Sequence, residues 1–150
     1  MRNGLVALCL MVAVSACIPS DPASPIAFAR EASGVEVLMT RCDELIHEIS
    51  VRRVDALRAG KIVGPVLWAA ESDSGAGVSG ITIGAAPPGF RETVALEGPL
   101  PQDQELTVLL ATSLVDMSGD VLLSDVEDGE VQARGEIVTR EEFDRDRSDC

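Results

Sequence analysis

The sequence predicts an all-β domain, an antiparallel β-sandwich closed by a short C-terminal helix. Three observations predict it. Apolar and polar residues alternate with period two through several short segments, clusters of Gly, Pro, Ser and Asp separate those segments, and the clearest helix-start signal falls near the end of the chain, at Thr139.

Val35–Cys42 reads as the first strand. In Leu45–Arg52, one face carries Leu45, Ile49 and Val51 with His47 between them, and the other carries Glu48, Ser50 and Arg52. Residues 54–60 read either as one helical turn or as a hairpin connection. Val63–Ala70 is the next strand and carries Trp68. Ser72–Gly77 is expected to be a flexible loop, followed by a short strand at Ile81–Ile83. Pro87-Pro88-Gly89 and Gly98–Pro101 are rigid turns. Between them, Glu92–Leu96 is a weaker strand.

Leu106–Thr112 alternates cleanly, with Leu106, Val108 and Leu110 on one face. Val121–Leu123 and Glu130–Ala133 flank Asp128-Gly129, a dipeptide that favours a tight hairpin turn. Thr139 and Glu142 have the spacing of a capping box, and Glu141 and Glu142 sit in the first turn, where the helix dipole favours acids. Phe143 is the expected packing residue of that helix. Seven or so short strands at this spacing suit an immunoglobulin-like sandwich. Trp68 follows Cys42 by 26 residues and Cys150 ends the chain, so the Cys–Trp–Cys spacing of true immunoglobulin domains is not present.

The N-terminus has a different character. Arg2 is the only charged residue before Cys17, residues 5–14 are an apolar run, and Val14-Ser15-Ala16-Cys17 closes it with small residues. That order describes an export signal, and its apolar stretch is too short for the ~20 residues of a spanning helix. Val14-Ser15-Ala16-Cys17 resembles the lipobox of bacterial lipoproteins, with valine in place of the commoner leucine. The resemblance implies cleavage before Cys17, a diacylglyceryl group on its thiol and a further acyl chain such as palmitate on the new amine. It covers only the first 17 residues. Residues 1–16 are then a signal peptide, 17–33 a lipidated Pro-rich tether, and 34–150 the acidic sandwich domain. Three prolines between Ile18 and Pro25 support an extended tether. The single lysine against eleven arginines, and the lack of asparagine after Asn3, are similar to small lipoproteins of actinobacteria.

Charge limits the partners. Losing Arg2 with the signal leaves 25 acidic and 11 basic residues, a net charge of −14. Nucleic acid and anionic lipid headgroups both repel such a domain, so nucleic acid is excluded as a partner. Of four cysteines, Cys9 leaves with the signal and Cys17 is lipidated. Cys42 and Cys150 remain, an even pair for an oxidising compartment and an expected disulfide. Closing so long a loop contributes about 4–5 kcal/mol in the chain-entropy picture.

No residue set points to catalysis, a metal or a cofactor. His47 is the only histidine and reads as a partly buried structural residue. A Ser–His–Asp set assembled in space stays open, but no G-x-S-x-G elbow marks a nucleophile. The acids Asp116, Asp120, Asp125, Glu127, Asp128 and Glu130 lack the spacing of a calcium loop and read as solvated turns, with calcium left open. Gly75-Ala76-Gly77-Val78-Ser79-Gly80 matches G-x-G-x-x-G, but a strand and not a helix follows it, so it reads as a hairpin loop. The expected function is a non-enzymatic module on the extracytoplasmic face of the cell membrane, held there by its lipid and contacting an envelope protein. The alternative is an enzyme or small-ligand carrier whose site assembles from distant residues.

Overall fold

The computed structural model describes residues 25–40, 44–58 and 61–147. The strands are β1 (Ile26–Glu31), β2 (Gly34–Met39), β3 (Ile46–Arg53), β4 (Ala56–Arg58), β5 (Lys61–Val63), β6 (Val66–Ala76), β7 (Gly80–Thr82), β8 (Arg91–Val94), β9 (Glu105–Thr112), β10 (Met117–Leu122), β11 (Glu130–Ala133) and β12 (Glu136–Thr139). A helix, α1 (Arg140–Asp146), follows them. One five-stranded sheet has the order β12-β11-β1-β2-β7 and a second the order β10-β9-β3-β6-β8, while β4 and β5 form a separate hairpin arm. Every strand pair is antiparallel.

The expected β-sandwich with a short C-terminal helix is present. One apolar cluster joins the sheets: Ile26, Phe28, Val37 and Met39 from the first meet Ile49, Val51, Trp68, Val108 and Leu110 from the second. Trp68 is fully buried, and its indole N–H donates to Glu92 Oε1 at 2.7 Å, so the ring's one polar atom is satisfied at the edge of the core. Gly119 in β10 lies tightly against β1 of the opposite sheet. A β-carbon there would stand 3.1 Å from Ile26 Cδ1 and 3.2 Å from Phe28 Cε2.

The boundary of the tether requires correction. Residues 26–31, assigned above to the tether, form β1 at the centre of the first sheet. Ile26-Ala27-Phe28-Ala29 alternates large and small side chains. The large pair enters the inter-sheet core, while Ala27 and Ala29 lie under α1 in a second cluster with Leu38, Val131 and Phe143. Such a strand is apolar on both faces, so the polar half of the expected alternation is missing from it. The domain therefore includes residues 25–33 and does not begin at residue 34.

Several connections also differ from expectation. β6 runs through Ala76, so Ser72–Ala76 is strand and not free loop. Gly77–Ser79 then carries the chain from the second sheet to β7 in the first, a sheet crossing in place of a hairpin. Asp128-Gly129 likewise joins no hairpin: β10 pairs with β9, and β11 pairs with β1 and β12. The tight hairpin is one step later, at Arg134-Gly135, where successive φ values of 55° and 78° give the backbone twist of a two-residue turn. Within the stretch 54–60, residues 56–58 are strand β4, paired with β5, and not a helical turn. The strand expected from Val63 begins at Val66, after Gly64-Pro65.

Helix α1 has the predicted cap. Thr139 is its N-cap and accepts from the Glu142 N–H at 3.2 Å, and Phe143 is buried. A seven-residue helix is unstable alone, so packing must hold it. Arg140 bonds Glu36 Oε2 at 2.7 Å, Asp144 Oδ2 at 3.0 Å and Glu31 Oε1 at 3.2 Å. Burial alone would lower the guanidinium's affinity for its proton; the bonds to Glu36 and Asp144 outweigh it and hold the pKa above the ordinary value. At the helix C-terminus, Arg147 donates to the Met39 carbonyl at 3.0 Å and the Ser79 carbonyl at 2.9 Å, with its guanidinium 5.2 Å from the Phe143 ring centre.

The Gly119 approach gives a direct test. Gly119→Val adds three carbons where Ile26 and Phe28 leave no room, and should destabilise the domain by about 1–3 kcal/mol in denaturant unfolding. Relief of that loss by a companion Ile26→Ala substitution would confirm the contact.

Candidate functional site

One end of the sandwich gathers the features most suited to recognition. The starts of β1, β3, β7 and β10 lie there with the ends of β2, β6 and β9, as the pairings Ile26–Met39, Ile46–Thr112, Ile46–Ala76 and Leu38–Gly80 require. Pro25, the first described residue, is fixed at this end by its carbonyl. That carbonyl accepts from the Thr40 hydroxyl at 2.7 Å and the Thr40 N–H at 2.9 Å. Arg147 reaches the same end through Met39 and Ser79.

The β9–β10 turn projects from this end. Thr112 organises it: Oγ1 accepts from the Val115 N–H at 3.1 Å and the Leu114 N–H at 3.3 Å. The hydroxyl proton is within reach of Glu44 Oε2 at 2.6 Å and of the Val115 carbonyl at 2.7 Å. A serine or threonine that closes the backbone following it is a common turn device. Glu44 is itself buried, and the Leu45 carbonyl accepts from the Ser113 N–H at 3.0 Å. The result is a braced turn that holds Leu114 and Val115 in solvent, 73% and 66% exposed, beside Leu45 at 45%. Asp116 is the acidic neighbour of that pair.

His47 lies just behind. Leu45, His47, Ile49 and Val51 were expected on one apolar face, but the ladder slips between Ile46 and Glu48 against both neighbouring strands. Ile46 takes the buried place, Leu45 is released to the surface, and His47 sits half-buried at the slip. On β6 four residues, Ser72 to Gly75, face that one position. Gly75 has φ +72°, and a β-carbon on it would lie 2.8 Å from His47 Cε1, so the imidazole needs glycine there. Ser72 Oγ, on the same bulge, is buried and without a hydrogen bond among the described residues. His47 is a packed ring in a bulge, as the structural reading expected.

A second feature is the outer face of the second sheet. The first sheet's outer face is covered by α1 through Phe143. The second sheet has no such cover among the described residues, and its outward Ser50, Ala69 and Thr107 are nonetheless buried among their larger neighbours. A shallow recess of about 300 Å³ lies there, bounded by Glu48, Ser50, Arg52, Leu109 and Asp116. Two carboxylates and one guanidinium suit hydrogen-bonded recognition of a polar surface.

The remaining candidates are dispersed. Asp128 pairs with Arg30 at 3.2 Å, Glu130 Oε2 accepts from the Glu127 N–H at 2.9 Å, and Asp125 lies in the 3-10 turn Leu123–Asp125. Among the described residues no three His, Cys, Asp or Glu side chains converge as a metal site. Cys17, Cys42 and Cys150 lie outside the described residues. Met39 and Arg147, three residues before Cys42 and Cys150 respectively, are hydrogen-bonded to each other. Sequence reasoning missed Leu114 and Val115. The signal was available: an apolar pair between Ser113 and Asp116, where a turn would be polar.

No helix among the described residues is long and apolar enough to cross a membrane. Comparison with protein-family models, curated proteins and solved structures found no match for the chain.

The braced turn depends on one hydroxyl. Thr112→Val keeps the shape of the side chain and removes its bonds to Leu114, Val115 and Glu44, and should cost about 1–3 kcal/mol with faster amide exchange at Leu114 and Val115. Thr112→Ser should retain most of the stability.

Proposed function

We propose that this chain is a lipid-anchored module of the extracytoplasmic face, held by Cys17 and working by surface contact with another envelope protein, not by catalysis. The lipobox-like Val14-Ser15-Ala16-Cys17 carries the proposal. Two acyl chains hold firmly where one is marginal, so the modification the motif implies is sufficient as an anchor. With β1 starting at Ile26, seven residues lie between Cys17 and Pro25, and those eight Cα steps reach roughly 28 Å at full extension. The uncovered outer face of the second sheet, bordered by Glu48, Arg52 and Asp116, supplies a broad polar surface for a protein partner.

Export also makes the Cys42–Cys150 disulfide chemically favourable. The Arg147–Met39 bond supports that pairing, since each cysteine is three residues further along from one member of it. Two measurements test the reading. Cys17→Ser should move the protein from the membrane fraction to the soluble fraction, and retention in the membrane would refute the anchor. Intact mass of the non-reduced protein should show Cys42 and Cys150 protected from alkylation, with both thiols labelled after reduction.

A further inference from the structure

We propose that the β9–β10 turn is a membrane-docking tip, in which Leu114 and Val115, with Leu45 beside them, enter the bilayer interface. The proposal rests on the Cys17 anchor. Four observations carry it. The apolar pair is the most exposed large apolar surface among the described residues, and Thr112 braces it outward at a fixed geometry. Isolated exposed apolar residues are ordinary, but three neighbours on one projecting end mark a contact surface.

The tip shares its end of the sandwich with Pro25, where the chain continues toward Cys17. The seven residues between Cys17 and Pro25 restrict that end to within roughly 28 Å of the lipid. The surface that meets this end first is therefore the bilayer, not a soluble partner.

Charge decides which bilayer. Asp116 adjoins the pair, and Glu44 lies behind it bonded to Thr112, while Arg147 is occupied by backbone carbonyls. With that neighbouring acid and a net charge of −14 on the mature chain, anionic headgroups are repelled and zwitterionic ones suit the tip better. Covalent tethering turns weak insertion into an intramolecular event, so two or three side chains suffice.

The test uses the full lipidated chain in phosphatidylcholine vesicles whose acyl chains carry bromine, a contact quencher of indole emission. Trp68 is the chain's only tryptophan and is fully buried, so it gives an unquenched reference in the unmodified protein. L114W should lose emission in brominated vesicles relative to plain ones, while V94W, on the β8 edge away from the tip, should not. If L114W co-floats with vesicles and keeps its emission, docking is overturned and the anchor stands. Equal quenching of L114W and V94W overturns docking in favour of non-specific adsorption. If the lipidated chain does not float with vesicles, the anchor itself fails, and docking with it.

Discussion

Strand β1 is buried on both faces, and most of the architecture follows from that constraint. Its large residues, Ile26 and Phe28, fill the space between the sheets, and its alanines receive α1. A strand without a wet face must be central, flanked by β2 and β11, and must be covered by a further layer. The opposing sheet yields to the large pair by placing Gly119 against them. The helix supplies the cover, and because it is too short to persist alone, its Phe143 and the Arg140 bonds to Glu31 and Glu36 tie it to β1 and β2. Arg30, also on β1, donates to the Leu123 carbonyl at 3.1 Å and so holds the crossing between the sheets.

Alternation is legible where one face is wet and invisible where both are dry. β9 displays Leu106, Val108 and Leu110 inward, and its strand was readable to within a residue. β1 gives no such signal, and the prolines before it make it resemble more tether. The G-x-G-x-x-G segment shows a related limit. Of its glycines only Gly77 falls between strands, since Gly75 lies at the end of β6 and Gly80 opens β7; local chemistry does not say whether the strands on either side pair or part, and these two join different sheets. Asp128-Gly129 misled in the same way: the turn is real, with Gly129 at φ +86°, but its flanking strands belong to separate sheets.

Register explains what was hidden at the candidate site. Periodicity from Ile49 backward places Leu45 inside, and a single slipped residue at His47 reverses it. A bulge inverts every side chain beyond it, so one irregularity changed Leu45 from core to surface. The slip has a sequence correlate only in retrospect: Gly75, whose missing β-carbon leaves room for the imidazole. The end of the sandwich was thus unreadable as an apolar surface, since Leu45 was assigned to the core and Leu114 and Val115 fell in an unremarked turn.

These corrections act together on the anchored reading. Counting residues 25–33 with the domain halves the tether, and a short tether makes the orientation of the domain matter. With residues 17–33 free, any face could turn to the bilayer, and a net charge of −14 would push the whole domain outward from anionic lipid. With only residues 18–24 between Cys17 and Pro25, a lipid on Cys17 would keep the end bearing Pro25 near the surface and bias the long axis of the strands along the membrane normal. On the proposed anchoring, the braced apolar turn would be the part of the domain turned to the lipid. That orientation would leave the uncovered face of the second sheet upright and open to a protein alongside.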